Sequence, residues 1–283
     1  MRKIKAWING KFLDVGEAKI SVFDRGFLYG DGLFETMRSY GGNIFKLAEH
    51  LSRLFYSSKV IKLKIPYSKR TLEGALYKIL KVNRLDDAYI RLTLTRGDGP
   101  FTLKKDGRSR PNVVISAKEF RGYPQRFYSA GINAQISDIR QDERSPLSGI
   151  KTLNFLGHIL ARMRTQEDGF NEAIITNTEG RIAEAATGNI FLVKRRLLLT
   201  PSLDSGILPG ITRGVVIRIA KGLKIRVSEK PISAGGLISA DEVFLTNSLA
   251  EILPVVKIGR AEIGKGRPGE ITKLLHASYR KMV

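Results

Sequence analysis

Three observations predict an α+β fold in two domains. Alternating apolar residues open the chain as a hairpin, two segments of helical periodicity follow, and strands and helices then mix without the strict alternation of a doubly wound sheet. Ile4–Ile8 alternates, Asn9-Gly10 is a type I′ turn signal, and Lys11–Leu13 begins the return strand. Leu47, Leu51, Leu54, Phe55 and Ile61 predict a helix over 47–62, and Leu72, Ala75, Leu76, Ile79 and Leu80 predict another over 71–82. Tyr89–Thr95 and Asn112–Ala117 read as strands, with the polar stretch Gly97–Arg110 between them as a long, site-shaping loop. Gly122 and Pro124 break any regular element, so a linker over 121–126 is expected to separate a small N-terminal α/β domain, 1–120, from a larger mixed domain, 127–283.

In the second half, strands are expected at Ile132–Ile136, Ile190–Val193, Leu197–Thr200, Arg226–Ser228, Glu242–Asn247 and Pro254–Ile258. Ala173–Thr176 and Arg181–Ala185 form a hairpin across Asn177–Gly180. Helices are expected over 152–167, 212–221 and 270–281, the first with Lys151 at its start. No internal repeat appears.

Composition narrows the chemistry. The 283 residues include no cysteine, which removes disulfide scaffolds, thiolate nucleophiles and zinc ribbons. His50, His158 and His276 are scattered, with no HExxH pattern, so they read as ordinary helix residues and no metal site is expected. Hydrophobic residues at 42% with charged residues at 27% are globular values. No signal peptide or long apolar run is visible, so a cytoplasmic protein is expected. Forty-eight Lys+Arg against 27 Asp+Glu give a net charge of +21, which raises a nucleic-acid reading. The basic clusters, Lys59 to Arg70 and Lys194 to Arg196, interleave too few aromatics to stack bases, so no nucleic-acid partner is expected.

Generic motifs fall away on inspection. Ser148-Gly149-Ile150-Lys151 is formally S-x-x-K but has no SDN or KTG companion, and Gly30-Asp31-Gly32 lacks the third glycine of a dinucleotide fingerprint. A different constellation remains: Lys151, Glu184 at the end of a hairpin strand, and the turn Leu208-Pro209-Gly210-Ile211-Thr212-Arg213 leading into a helix. Free N–H groups at a helix start suit a phosphate. A lysine amine can form an imine, and a carboxylate opposite a pyridine nitrogen keeps it protonated.

Six ordered motifs then carry a resemblance along essentially the whole chain: Phe23 to Thr36 (FDRGFLYGDGLFET), His50 to Leu54 (HLSRL), Lys151-Thr152-Leu153-Asn154, Gly188-Asn189-Ile190-Phe191, Leu208 to Arg213, and Thr246 to Val255 (TNSLAEILPV). The chain resembles the class IV, or fold type IV, pyridoxal-phosphate aminotransferases. That resemblance implies pyridoxal 5′-phosphate as cofactor and a site at the interface of the two domains. It makes Lys151 the Schiff-base lysine and proton shuttle, and Glu184 the partner of the pyridine nitrogen. Arg53, Ile211, Thr212 and Ser248 would hold the phosphate. It also implies a homodimer in which Arg25 and Tyr29 act across the subunit interface. One departure stands out: Phe155 occupies the place where branched-chain members carry a tyrosine near the cofactor's 3-oxygen.

Within the family, the chain looks nearest the branched-chain enzymes. Tyr89 and Arg91 match their Tyr-x-Arg strand, and residues i and i+2 of a strand share a face. Tyr29, Phe34 and Leu249 match positions lining their substrate site. Phe101 and Leu103 stand where the D-amino-acid type has an arginine and a histidine, which removes the usual D-specific carboxylate clamp, although Arg181 or Arg25 could replace it. Thr36 is a lyase-like residue, so a D-amino-acid aminotransferase and an aminodeoxychorismate lyase remain alternatives to L-amino-acid transamination with 2-oxoglutarate.

Overall fold

The computed structural model describes residues 4–99, 102 and 110–283. Phe101 and Leu103, on which the argument against a D-specific clamp rests, lie outside the described residues. The chain forms two compact units, Met1–Arg121 with Ile150–Asn154, and Gly122–Gly149 with Phe155–Val283.

The first unit contains β1 (Lys5–Ile8), β2 (Lys11–Asp14), α1 (Arg25–Tyr29), β3 (Gly32–Tyr40), β4 (Asn43–Ile44), α2 (Leu47–Val60), α3 (Lys69–Asn83), β5 (Ala88–Thr95) and β6 (Asn112–Glu119). Its strands form one antiparallel sheet in the order β2-β1-β6-β5-β3-β4. The apolar stripes of α2 (Leu47, Leu51, Leu54) and α3 (Leu72, Leu76, Ile79) pack on Leu33, Met37, Ile90, Leu92 and Leu94 from one sheet face. Truncating any one of these leucines to alanine costs about 2–5 kcal/mol. Residues directly paired across antiparallel strands share a face. The registers Phe34↔Thr93 and Thr36↔Arg91 therefore set Phe34, Thr36, Tyr89 and Arg91 together on the opposite face.

Ile150–Asn154 belongs to this unit because its backbone is used by β3. Phe34 N donates to Lys151 O at 3.0 Å, Leu153 N donates to Gly32 O at 3.0 Å, and Thr152 bridges Leu33. Gly32 is required at this junction, since a Cβ there would overlap Leu94 O. The helix expected from 152 consequently starts only at Leu156: Lys151 lies in an extended segment ahead of it, not at its first turn.

The second unit holds α4 (Gln125–Ser129), β7 (Ile132–Gln141), α5 (Leu156–Glu167), β8 (Glu172–Asn177), β9 (Arg181–Ala185), β10 (Asn189–Lys194), β11 (Leu197–Thr200), α6 (Ile211–Gly222), β12 (Val227–Glu229), β13 (Ile232–Ser233), α7 (Ala234–Ile238), β14 (Glu242–Asn247), β15 (Glu251–Ile258), β16 (Ala261–Glu262) and α8 (Glu270–Arg280). Its mixed sheet runs β12-β11-β10-β14-β15-β7-β8-β9-β13, with β16 on β15. Ile132, Ile174, Ile190, Leu192, Leu245, Leu253 and Val255 form its core. Helices α6 and α8 pack on each other and on β14, burying Val215, Val216, Ala220, Ile271 and Leu275. The fold is thus the α+β class expected. No helix among the described residues is long and apolar enough to cross a membrane.

Candidate active site

In the first unit the extended segment 150–154 presents Lys151 beside β3. Its Nζ lies 4.5 Å from the centroid of the Phe34 ring, and the Arg91 guanidinium carbon lies 3.9 Å from the same centroid. One buried aromatic ring therefore attracts both the amine and the guanidinium through its quadrupole. Arg91 also donates from Nε to Thr93 Oγ1 at 3.3 Å. Tyr89 follows on the same sheet face, with Lys118 Nζ 5.3 Å from its ring centroid.

Tyr29 ends α1 and is exposed. The Arg25 guanidinium lies over its ring at 5.1 Å, donates to Asp31 Oδ2 at 3.0 Å and to the Thr102 carbonyl at 2.7 Å. Asp31 also accepts from Arg96, and these two guanidinium groups hold its carboxyl below the usual range although burial opposes them.

Arg53 sits one turn after His50 on α2, and both face Glu35 on β3. Arg53 Nε and Nη2 donate to the two Glu35 oxygens at 2.8 and 2.6 Å, while His50 Nδ1 lies 2.8 Å from Oε2. Burial would raise the Glu35 pKa. The Arg53 charge and the hydrogen bonds from Arg53 and His50 outweigh it and hold the group at about 2.

In the second unit Glu184 is buried on β9. Its Oε2 accepts from Asn189 Nδ2 at 3.1 Å and from Leu208 N at 3.2 Å. Oε1 takes no hydrogen bond among the described residues and faces His158 Nε2 at 4.0 Å. His158 is itself stacked on Phe155, with centroids 4.6 Å apart and planes at 9°. Phe155 thus supports a histidine next to Glu184 and offers no hydroxyl.

Gly210 caps α6 without any side-chain hydrogen bond, so the N–H groups of Ile211 and Thr212 point out of an uncapped helix start. A Cβ on Gly210 would overlap Asn189 Oδ1, so glycine is what lets the turn close on the residue that holds Glu184. Arg213 turns away, donating to Pro201 O and Glu229. Ser248 and Leu249 occupy the β14–β15 turn, where Asn247 Oδ1 accepts from Leu249 N at 2.9 Å and Ala250 N at 2.7 Å.

The predicted residues thus gather in two sets. Lys151, Phe34, Thr36, Tyr89 and Arg91 share one face of the first unit, with Arg53 on α2 across the sheet. Glu184, Ile211 and Thr212 cluster around Asn189 in the second, and Ser248 and Leu249 sit in the turn after β14. The sequence alone assigns no role to Glu35, Asn189 or the three histidines. Each histidine does lie in a helix, yet each faces a buried glutamate: His50 on Glu35, His158 on Glu184, His276 on Glu251. No carboxylate–histidine group suited to a metal ion occurs among the described residues.

An uncapped helix start fits a phosphate, and a fixed carboxylate with one open oxygen fits a protonated ring nitrogen. This combination suits a phosphorylated pyridine cofactor. Residues 32–258 match the family profile of amino-transferase class IV. The chain is 40% identical over 280 residues to the "Putative branched-chain-amino-acid aminotransferase" of Methanocaldococcus jannaschii, covering 98% of this chain and 96% of the relative. It is 34% identical to the D-alanine aminotransferase of Staphylococcus haemolyticus, covering 99% and 98%. Among solved structures, the branched-chain amino acid aminotransferase of Escherichia coli superposes with a TM-score of 0.95 at 31% identity, covering 99% of this chain and 94% of that one. A second branched-chain amino acid aminotransferase, from T.th. and crystallised with pyridoxamine 5′-phosphate, gives 0.94 at 31% identity, covering 99% of this chain and 94% of that one. The chain belongs to the class IV aminotransferases and is a pyridoxal-phosphate-dependent enzyme of that family.

Proposed function

We propose that this enzyme transfers the amino group of a branched-chain L-amino acid to 2-oxoglutarate. The observation that supports the reading is the shared Phe34 ring, which sets a carboxylate-binding guanidinium, Arg91, beside the reactive amine of Lys151 on one sheet face. The cofactor, when bound, supplies an aldehyde carbon that accepts the amino group and a ring that withdraws electrons from the substrate's α-carbon. Lys151 is the Schiff-base lysine, and its freed amine takes the α-proton and returns it. Glu184, held by Asn189 and Leu208, keeps the ring nitrogen protonated. The N–H groups of Ile211 and Thr212, with Ser248 and Arg53, hold the phosphate. Arg91 and Tyr89 receive the substrate carboxylate, while Tyr29, Phe34, Thr36 and Leu249 line the side-chain pocket. The reaction is ping-pong: the donor leaves as a 2-oxo acid before 2-oxoglutarate enters and leaves as glutamate.

A homodimer belongs to the same reading. Helix α5 exposes Leu156, Ile159, Leu160 and Met163, a stripe at i, i+3, i+4 and i+7 that a second copy would cover. Light scattering should give twice the 31.5 kDa chain mass. No nucleic-acid partner is proposed, and the protein is assigned to the cytoplasm.

The D-alanine aminotransferase likeness favours one alternative, a D-amino-acid enzyme, and Thr36 on the same face as Arg91 favours a second, aminodeoxychorismate lyase. The purified enzyme should be offered L-leucine, D-alanine and aminodeoxychorismate in parallel. Glutamate formed from L-leucine and 2-oxoglutarate is the expected result. Turnover of D-alanine alone, or release of p-aminobenzoate, would replace the reading with the corresponding alternative.

A further inference from the structure

We infer that the C-terminal helix positions the phosphate site: His276 and Arg280 of α8 hold Glu251, and through it the turn carrying Ser248. The inference rests on the assignment of Ser248 to the phosphate. Asn247 and Glu251 are the last paired residues of the β14–β15 hairpin, so Ser248, Leu249 and Ala250 form a three-residue loop. Glu251 closes it with φ +60°, the left-handed conformation that such loops ordinarily give to glycine. A side chain persists there when its surroundings over-determine it.

Those surroundings come from outside the hairpin. Glu251 is buried, and its two oxygens are taken by one face of α8. Arg280 Nη1 donates to Oε1 at 2.7 Å, and His276 Nε2 lies 2.8 Å from Oε2. Residues four apart on a helix reach a common partner in this way. The His276 ring is stacked on Tyr128, centroids 5.0 Å apart at 12°, and the Tyr128 hydroxyl donates to the Ala250 carbonyl at 3.2 Å. From inside, Asn247 Oδ1 accepts from Leu249 N and Ala250 N. The loop is thus gripped on both sides of Ser248, and the outer grip depends on a helix that begins 22 residues after Ser248 (270 − 248).

The test uses the full-length chain stripped of cofactor and reloaded with pyridoxal phosphate or with pyridoxal, which lacks the phosphate. Arg280→Met and His276→Leu should each weaken pyridoxal phosphate about tenfold, the worth of one charge-assisted hydrogen bond. Pyridoxal binding should stay unchanged, and Arg280→Lys should recover part of the loss. Glu251→Gly accepts the left-handed backbone but lacks the carboxylate, and it should weaken pyridoxal phosphate as the helix variants do. Equal losses for both ligands, or a Glu251→Gly protein that binds like the parent, would overturn the positioning role. Hydrogen exchange of a peptide spanning 247–251 separates the two levels. If pyridoxal phosphate fails to protect it in the parent, the Ser248 assignment falls and the inference with it. Protection in the parent with unchanged affinities in every variant would remove the role of α8 alone.

Discussion

The Arg53 guanidinium lies bidentate on the buried Glu35 carboxylate, with donor–acceptor distances of 2.8 and 2.6 Å. Glu35 presents both oxygens from β3, so the fork geometry fixes the plane in which Arg53 projects. A flexible cation on α2 becomes a pre-oriented one.

Removing that anion should be costly. Glu35→Gln leaves the Arg53 charge buried with a neutral partner, and a loss of about 3 kcal/mol in unfolding free energy is expected. The pH dependence gives the sign. Glu35 has a folded pKa of about 2 against an ordinary value of 4.5, so its contribution is fully present above pH 4.5 and disappears as pH falls towards 2. The stability gap between parent and Glu35→Gln, read from urea midpoints, should therefore narrow from pH 5 to pH 2. A gap independent of pH would show that the pair does not work through the Glu35 charge.

Lys151 is the residue whose loss should end turnover. Lys151→Ala removes the amine proposed to bond the cofactor and to move the α-proton, a group whose general acid–base part alone is worth about 10²–10⁴ in rate. Borohydride should fix cofactor to the parent and leave Lys151→Ala unlabelled. A variant still labelled at another lysine would displace the assignment.

Gly210→Ala tests the turn before α6. The added methyl group would meet Asn189 Oδ1, and Asn189 donates to both Glu184 and the Leu208 carbonyl. One substitution outside the carboxylate pair should thus loosen the helix start and the Glu184 oxygen together. A drop of about tenfold in cofactor affinity is expected, matching one lost charge-assisted bond, with a smaller change in melting temperature. Unchanged cofactor binding would mean the turn can yield without moving Asn189.

What could be read in advance follows from how local each feature is. The hairpin at Asn9-Gly10 and the stripe of α3 are written in adjacent residues, and both formed where expected. Strand β3 carries no strand signal in the sequence, because it is buried on both faces for most of its length and so loses the alternation that marks a half-exposed strand. Helix α5 starts later than the periodicity predicts, since the competing use of residues 151–153, pairing with β3, depends on residues more than a hundred positions away. Motif likeness singles out Lys151, Glu184 and Arg53 one by one as candidates. Their partners Glu35, Asn189 and His158 are set by tertiary placement, and no spacing rule in the sequence ties them together.

Glu172 shows the opposite electrostatic case from Glu35 and gives a prediction of opposite sign. It is buried at the start of β8, where its oxygens accept from Ala173 N at 3.0 Å and the Thr187 hydroxyl at 2.5 Å. Burial raises its pKa, and the Thr187 hydrogen bond and the more distant charges of Arg162 and His158 offset this only in part. The folded protein therefore keeps a proton that the unfolded chain gives up near pH 4.5. Across that interval the native state binds more protons than the unfolded one, so stability falls as pH rises, by at most about 1.4 kcal/mol per pH unit. Glu172→Gln keeps an acceptor for Ala173 N, and the Thr187 hydroxyl can turn to accept from the amide. This variant should match the parent near pH 4 and become the more stable of the two as pH rises to 7. Urea midpoints at four pH values for both proteins decide it: parallel curves would mean Glu172 ionises in the folded state as it does in the unfolded chain.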